Sequence, residues 1–118
     1  MSSYLGILFM RFLAKLPLPL VRGFAAVIGR ILFVLAVPRR RVVLRNLELC
    51  FPQESAQQRK QWARESFVYF CQAWLDRSWL WHAPLPVLQK RLKLHGAVHE
   101  LEGTTPTIIF GPHFYGLD

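Results

Sequence analysis

His113 and Asp118 are the residues whose types and spacing could do chemistry. The histidine follows a Gly111-Pro112 turn that closes the apolar run Thr107-Ile108-Ile109-Phe110, and the aspartate stands five positions after it. A neutral imidazole accepts a proton from a hydroxyl, while a neighbouring carboxylate fixes its tautomer and stabilises the imidazolium that forms. Neither residue would be the nucleophile. On a regular helix, positions five apart are rotated about 140° from each other, so the two side chains meet only across a loop or an irregular first turn. The spacing alone is a short motif of low specificity. Position adds to it, because α/β proteins place their sites just beyond the C-terminal ends of buried strands. Pro112 fixes the turn, and Gly111 and Gly116 allow a close backbone approach to a ligand. The competing readings are a histidine bonded to backbone beside an unrelated aspartate, and a metal site. A metal site lacks a nearby ligand cluster, and a serine nucleophile lacks its elbow motif.

The elements that must position this pair are predicted as follows. Leu92-Lys93-Leu94-His95 alternates apolar and basic residues and reads as a strand ending at Gly96. Ala97 to Leu101 reads as a short helix stopped near Gly103. Thr107 to Phe110 reads as a second strand, continuously apolar as buried parallel strands are. Strand, helix and strand in this order predict an α/β fold with an incomplete mixed or parallel sheet. Upstream, Ser55 followed by Gln58 is a capping-box pattern that starts a helix near Ala56, running to about Trp81. Trp62, Tyr69, Phe70, Ala73, Trp74 and Leu80 recur at helical spacing and are expected to form a core stripe, with a lipid-facing role as the alternative. Pro84 and Pro86 break the pattern before a short helix over Val87 to Arg91.

The front of the chain has a different character. Hydrophobic residues make up 53% of the 118-residue sequence, and the net charge is +8. That excess lies entirely within residues 1–47, which carry eight basic residues and no acid. Such asymmetry points to a polyanionic partner. The basic residues stand among Leu, Ile, Phe and Val, which favours an anionic lipid surface over nucleic acid. Pro17 and Pro19 split the apolar stretch into Tyr4 to Leu16, too short to span a bilayer, and Leu20 to Val37, nearly long enough. Arg22 and Arg30 interrupt the second piece, and a helix places them about 80° apart, on one side. An interfacial or re-entrant anchor fits the short pieces best, with a single span as the alternative. Arg39-Arg40-Arg41 would then face the cytoplasm. Residues 42–49 continue as a helix or a short extended piece, which Phe51-Pro52 ends. Cys50 and Cys71 have no ligand spacing and are expected to be buried free thiols in a reducing compartment.

Two boxes in order carry a family resemblance. His113-Phe114-Tyr115-Gly116-Leu117-Asp118 resembles the H-x4-D/E catalytic box of the bacterial late lipid A biosynthesis acyltransferases, the lauroyl/myristoyl acyltransferase family. Arg45-Asn46-Leu47-Glu48-Leu49-Cys50-Phe51-Pro52 is similar to the N-L-x-L-x-F-P stretch that follows the family's N-terminal anchor. The resemblance implies an anchor over residues 1–41, with residues 42–118 as the N-terminal part of an acyltransferase domain. It implies a general base, His113, and its partner Asp118. It further implies acyl carrier protein as the acyl donor, a hydroxyl of a lipid A precursor as the acceptor, and the cytoplasmic face of the cell inner membrane as the location. No further cofactor, metal or nucleic acid is implied. Family members continue well beyond the box, so the chain is expected to be an N-terminal fragment that is inactive alone. A transferase for another glycolipid or phospholipid, or a non-enzymatic anchored protein that binds anionic lipid, are the alternative functions.

Overall fold

The computed structural model describes residues 2–93, 95, 96, 99 and 102–108. They form five helices: α1 Ser2–Ala14, α2 Leu18–Leu35, α3 Val37–Cys50, α4 Ala56–His82 and α5 Leu85–Arg91. Prolines set most of the boundaries. Pro17 caps α2 and Pro19 sits in its first turn, where a missing N–H costs nothing. Pro38 does the same for α3 and Pro86 for α5. The sequence-predicted start of α4 is found as expected: the Gln58 amide donates to the Ser55 side-chain oxygen at 3.1 Å.

Arg40 resolves a problem that Pro38 creates. With no N–H at residue 38, the carbonyl of Val34 at the end of α2 lacks its helical donor. The Arg40 guanidinium donates to the Phe33 carbonyl at 2.9 Å and to that of Val34 at 3.2 Å. A cation at the negative end of the α2 dipole is also favourable. Arg59 treats the next connection similarly, donating to the carbonyls of Phe51, Pro52 and Glu54. Phe51 meets the Trp62 ring edge-on at 5.3 Å, so the Asn46-to-Pro52 stretch ends in a side chain seated on α4.

The core lies where α1 and α2 meet α4. Met10 and Leu13 from α1, Val21 and Ala25 from α2, and Cys71 and Leu75 from α4 are buried together, with Leu16 and Ile28 packed against them. α2 and α4 form the largest interhelical contact. It is tightest at Gly29, where a Cβ would fall 2.6 Å from the Val68 Cα and 2.8 Å from the Phe67 carbonyl oxygen. Near that crossing Phe33 packs edge-on against Phe67, with centroids 5.6 Å apart.

Three expectations are corrected. First, the α/β sheet is not found. Among the described residues there is no strand: Leu92, Lys93, His95, Thr107 and Ile108 have no ladder partner, and Ile108 is 96% exposed. A strand exists only by pairing, whereas the helices bury their apolar surface against one another. Leu94, Ile109, Phe110 and most of the expected 97–101 helix lie outside the described residues. Second, the core stripe of α4 is not the aromatic one. Tyr69, Phe70 and Trp74 are about half exposed, while Ala63, Cys71, Leu75, Ser78 and Trp79 are buried. The buried face is set by where α1 and α2 cross α4, and it includes one ring, Trp79, that the expected stripe did not contain. Third, Cys50 is exposed and only Cys71 is buried.

These contacts generate a paired stability prediction for the chain in mild detergent, read by urea unfolding. Gly29→Ala should destabilise by about 1–3 kcal/mol or more, because the obstructing atoms are backbone and a helix must move. Ser78 is fully buried and its hydroxyl has no hydrogen-bond partner among the described residues. Ser78→Ala should therefore leave stability unchanged or raise it by up to about 1 kcal/mol, since a buried unpaired hydroxyl is itself a cost. A tolerated Gly29→Ala would contradict the close crossing, and a large loss in Ser78→Ala would reveal a partner for the hydroxyl.

Candidate functional site

His113 and Asp118 lie outside the described residues. What the described residues do assemble is a basic cleft of about 720 Å³ between α2, α3 and α4, lined by Arg30, Phe33, Val34, Arg40, Leu44, Lys60 and Arg64. Each basic residue is placed by an element already described. Arg30 follows the Gly29 crossing. Arg40 is held by the terminal carbonyls of α2. Lys60 and Arg64 are one turn apart on α4, on the side where α4 meets α2 and α3. Phe33 is the hub: the Arg40 guanidinium carbon lies 5.5 Å from its ring centroid and that of Arg64 lies 5.7 Å away. A cation over an aromatic face is stabilised by the ring quadrupole, which offsets part of the repulsion between the two guanidinium groups. No acid lines this cleft among the described residues.

The flanks hold the nearest acids. Glu65 lines the groove that continues along α4 past Gln61 and Tyr69. On α3, Glu48 accepts from Arg45 at 2.7 Å, and this bond holds its carboxyl below the usual carboxylate range. At the other end of α2, the Arg22 guanidinium pairs with Asp76 at 3.1 Å, and Asp76 also accepts from the Trp79 indole at 3.0 Å. Arg22 thus pairs with α4 and Arg30 lines the cleft beside it, on the one side of the helix that their spacing implied, and Phe24, Val27 and Ile31 are left exposed on the rest of α2. That helix has 18 residues and a mean hydropathy of 1.9, long and apolar enough to cross a membrane by length and composition. A second basic hollow is lined by Arg11 of α1, by Lys15 just after that helix, by His82, and by Arg91 of α5, whose guanidinium lies over the Trp79 ring at 5.2 Å. No group of three or more potential metal ligands occurs among the described residues.

The model of the bacterial lipid A biosynthesis acyltransferases matches residues 1–118. The chain belongs to this family. It is 28% identical over 82 residues to the lipid A biosynthesis lauroyltransferase of Escherichia coli (strain K12), an alignment covering 70% of this chain and 27% of that protein. The chain thus spans about a quarter of the length of this lauroyltransferase. No solved structure matches it. Within this family member, Lys60 and Arg64 are the site residues that sequence reasoning missed. They lie in the charge-balanced part of the chain, and only the folding of α4 across α2 adds them to the basic front. The signal available was the four-residue spacing of two cations on a helix.

The two cysteines yield a chemical prediction. Burial pushes the Cys71 thiol above its ordinary pKa, so little thiolate forms there, while Cys50 stands exposed at the end of α3. Iodoacetamide at neutral pH should alkylate Cys50 readily and Cys71 only after denaturation, as read by peptide mass spectrometry. Equal labelling in the folded chain would contradict the core packing of α1 and α2 on α4.

Proposed function

We propose that this chain is the N-terminal part of an enzyme that transfers a fatty acyl group from acyl carrier protein to a hydroxyl of a lipid A precursor. The observation that carries this reading is the family match along the whole chain. His113 is the general base: it takes the proton of the acceptor hydroxyl as the oxygen attacks the acyl carbonyl of the donor thioester, and the carrier thiolate leaves. Asp118 orients the imidazole and stabilises its protonated form. The setting is the cytoplasmic face of the inner membrane. The largely uncovered α2 supports a lipid-bound position, and the basic cleft beside it suits a substrate with anionic groups. The 118-residue chain by itself is not expected to complete the reaction.

The test uses a chain continued to the length of the lauroyltransferase and assayed in membranes for acyl transfer to a lipid A precursor. His113→Ala should lower turnover at least about a hundredfold with membrane association unchanged, and the 118-residue chain should show little or no transfer. Near-normal turnover of the variant overturns the role of His113; robust transfer by the short chain overturns its incompleteness.

A further inference from the structure

We infer that the cleft formed by Arg30, Arg40, Lys60 and Arg64 is a binding site for the phosphate of a lipid headgroup. The inference stands apart from the transfer chemistry, because binding needs no acyl donor. Three observations carry it. The lining has four basic side chains and no acid among the described residues, and a single acid, Glu65, lines the groove that continues from it. Gathering like charges around one hollow is unfavourable without a counter-anion, and a phosphate monoester supplies one to two negative charges and several acceptor oxygens.

Two of the four cations, Arg40 and Arg64, are also held in place. Arg40 is fixed through one nitrogen, Nη1, to two carbonyls, leaving its other N–H groups for a ligand. Arg64 lies over the Phe33 ring. Pre-positioned guanidinium groups lose less freedom on binding, and their planar fork matches phosphate oxygens.

The third observation distinguishes a lipid from free phosphate. Val34 lines the cleft, and Ile31, Val34 and Leu35 are exposed at the adjoining end of α2. A headgroup seated among the arginines would have its acyl chains beside an uncovered apolar helix. Cations at the end of an apolar helix sit at the depth of lipid phosphates when that helix enters a bilayer. The second hollow, with Arg11 and Lys15, offers no guanidinium held by helix carbonyls.

The experiment places the chain in zwitterionic phosphatidylcholine bicelles and titrates it with phosphatidic acid, reading the monoester resonance by phosphorus NMR. Insertion of α1 and α2 is then common to every sample. Lys60→Gln/Arg64→Gln removes two cleft cations and leaves the Arg40 cap intact; circular dichroism checks that the helices remain. Arg39→Gln/Lys90→Gln removes the same charge from exposed positions outside the cleft. Binding of phosphatidic acid should weaken at least about tenfold more in the cleft variant than in the charge-matched control, a difference of about 1.4 kcal/mol. Equal weakening in both variants makes the attraction diffuse and overturns the site. Unchanged binding in the cleft variant overturns it as well. Inorganic phosphate is the other arm: if it binds the detergent-solubilised chain as tightly as phosphatidic acid does in bicelles, the site is one for free phosphate and the lipid assignment fails.

Discussion

The close crossing of α2 over α4 at Gly29 is the constraint on which the rest depends. A helix pair can approach to backbone contact only where one partner lacks a Cβ and the other presents a small or flat surface. Gly29 meets the Val68 and Phe67 backbone directly. Along α4, Ala63, Cys71 and Ser78 keep the buried face low. Once the two axes are this close, Arg30 must leave sideways, Phe33 must lie against Phe67, and the end of α2 must arrive where Arg40 can reach its carbonyls. The cleft is therefore a by-product of a packing decision made one residue before its first cation.

The helix boundaries were legible because they depend on local chemistry. Proline at residues 17, 19, 84 and 86 and serine at residue 55 act on their own turns, whatever the rest of the chain does, whereas the break between α2 and α3 before Pro38 was not foreseen. The buried face of α4 was not legible. Period counting sees that aromatic residues recur, but it does not see which face the neighbouring helices will cover: Trp79 is buried, while Tyr69, Phe70 and Trp74 are about half exposed. The same limit applies to the expected strands near residues 92 and 107. Alternation and apolarity describe what a strand would look like, while pairing decides whether one exists, and pairing is non-local. The His113 and Asp118 box was legible as a motif, and its geometry lies outside the described residues.

The Arg22–Asp76 pair shows how the polar groups of an apolar helix can serve the fold. Asp76 is held by two donors, a guanidinium from α2 and an indole from its own helix. An exposed single ion pair contributes little, but this one has a mostly buried carboxylate and a second hydrogen bond that fixes its rotamer. It sets the rotation of α2 about its axis, and that rotation keeps both α2 arginines away from the apolar side.

Arg40 and Arg59 give the charge of this protein a different meaning. Each is counted in the net +8, yet each is bound to backbone carbonyls that proline or a loop left unsatisfied. Arg22 and Arg45 are bound to carboxylates. Part of the basic composition thus has a structural use, and Arg22 and Arg40 join one helix to another. Arg40 does both at once: it ties α2 to α3 through Nη1 and still brings its charge to the cleft, so the joint that closes one helix also fixes where the protein presents a cation.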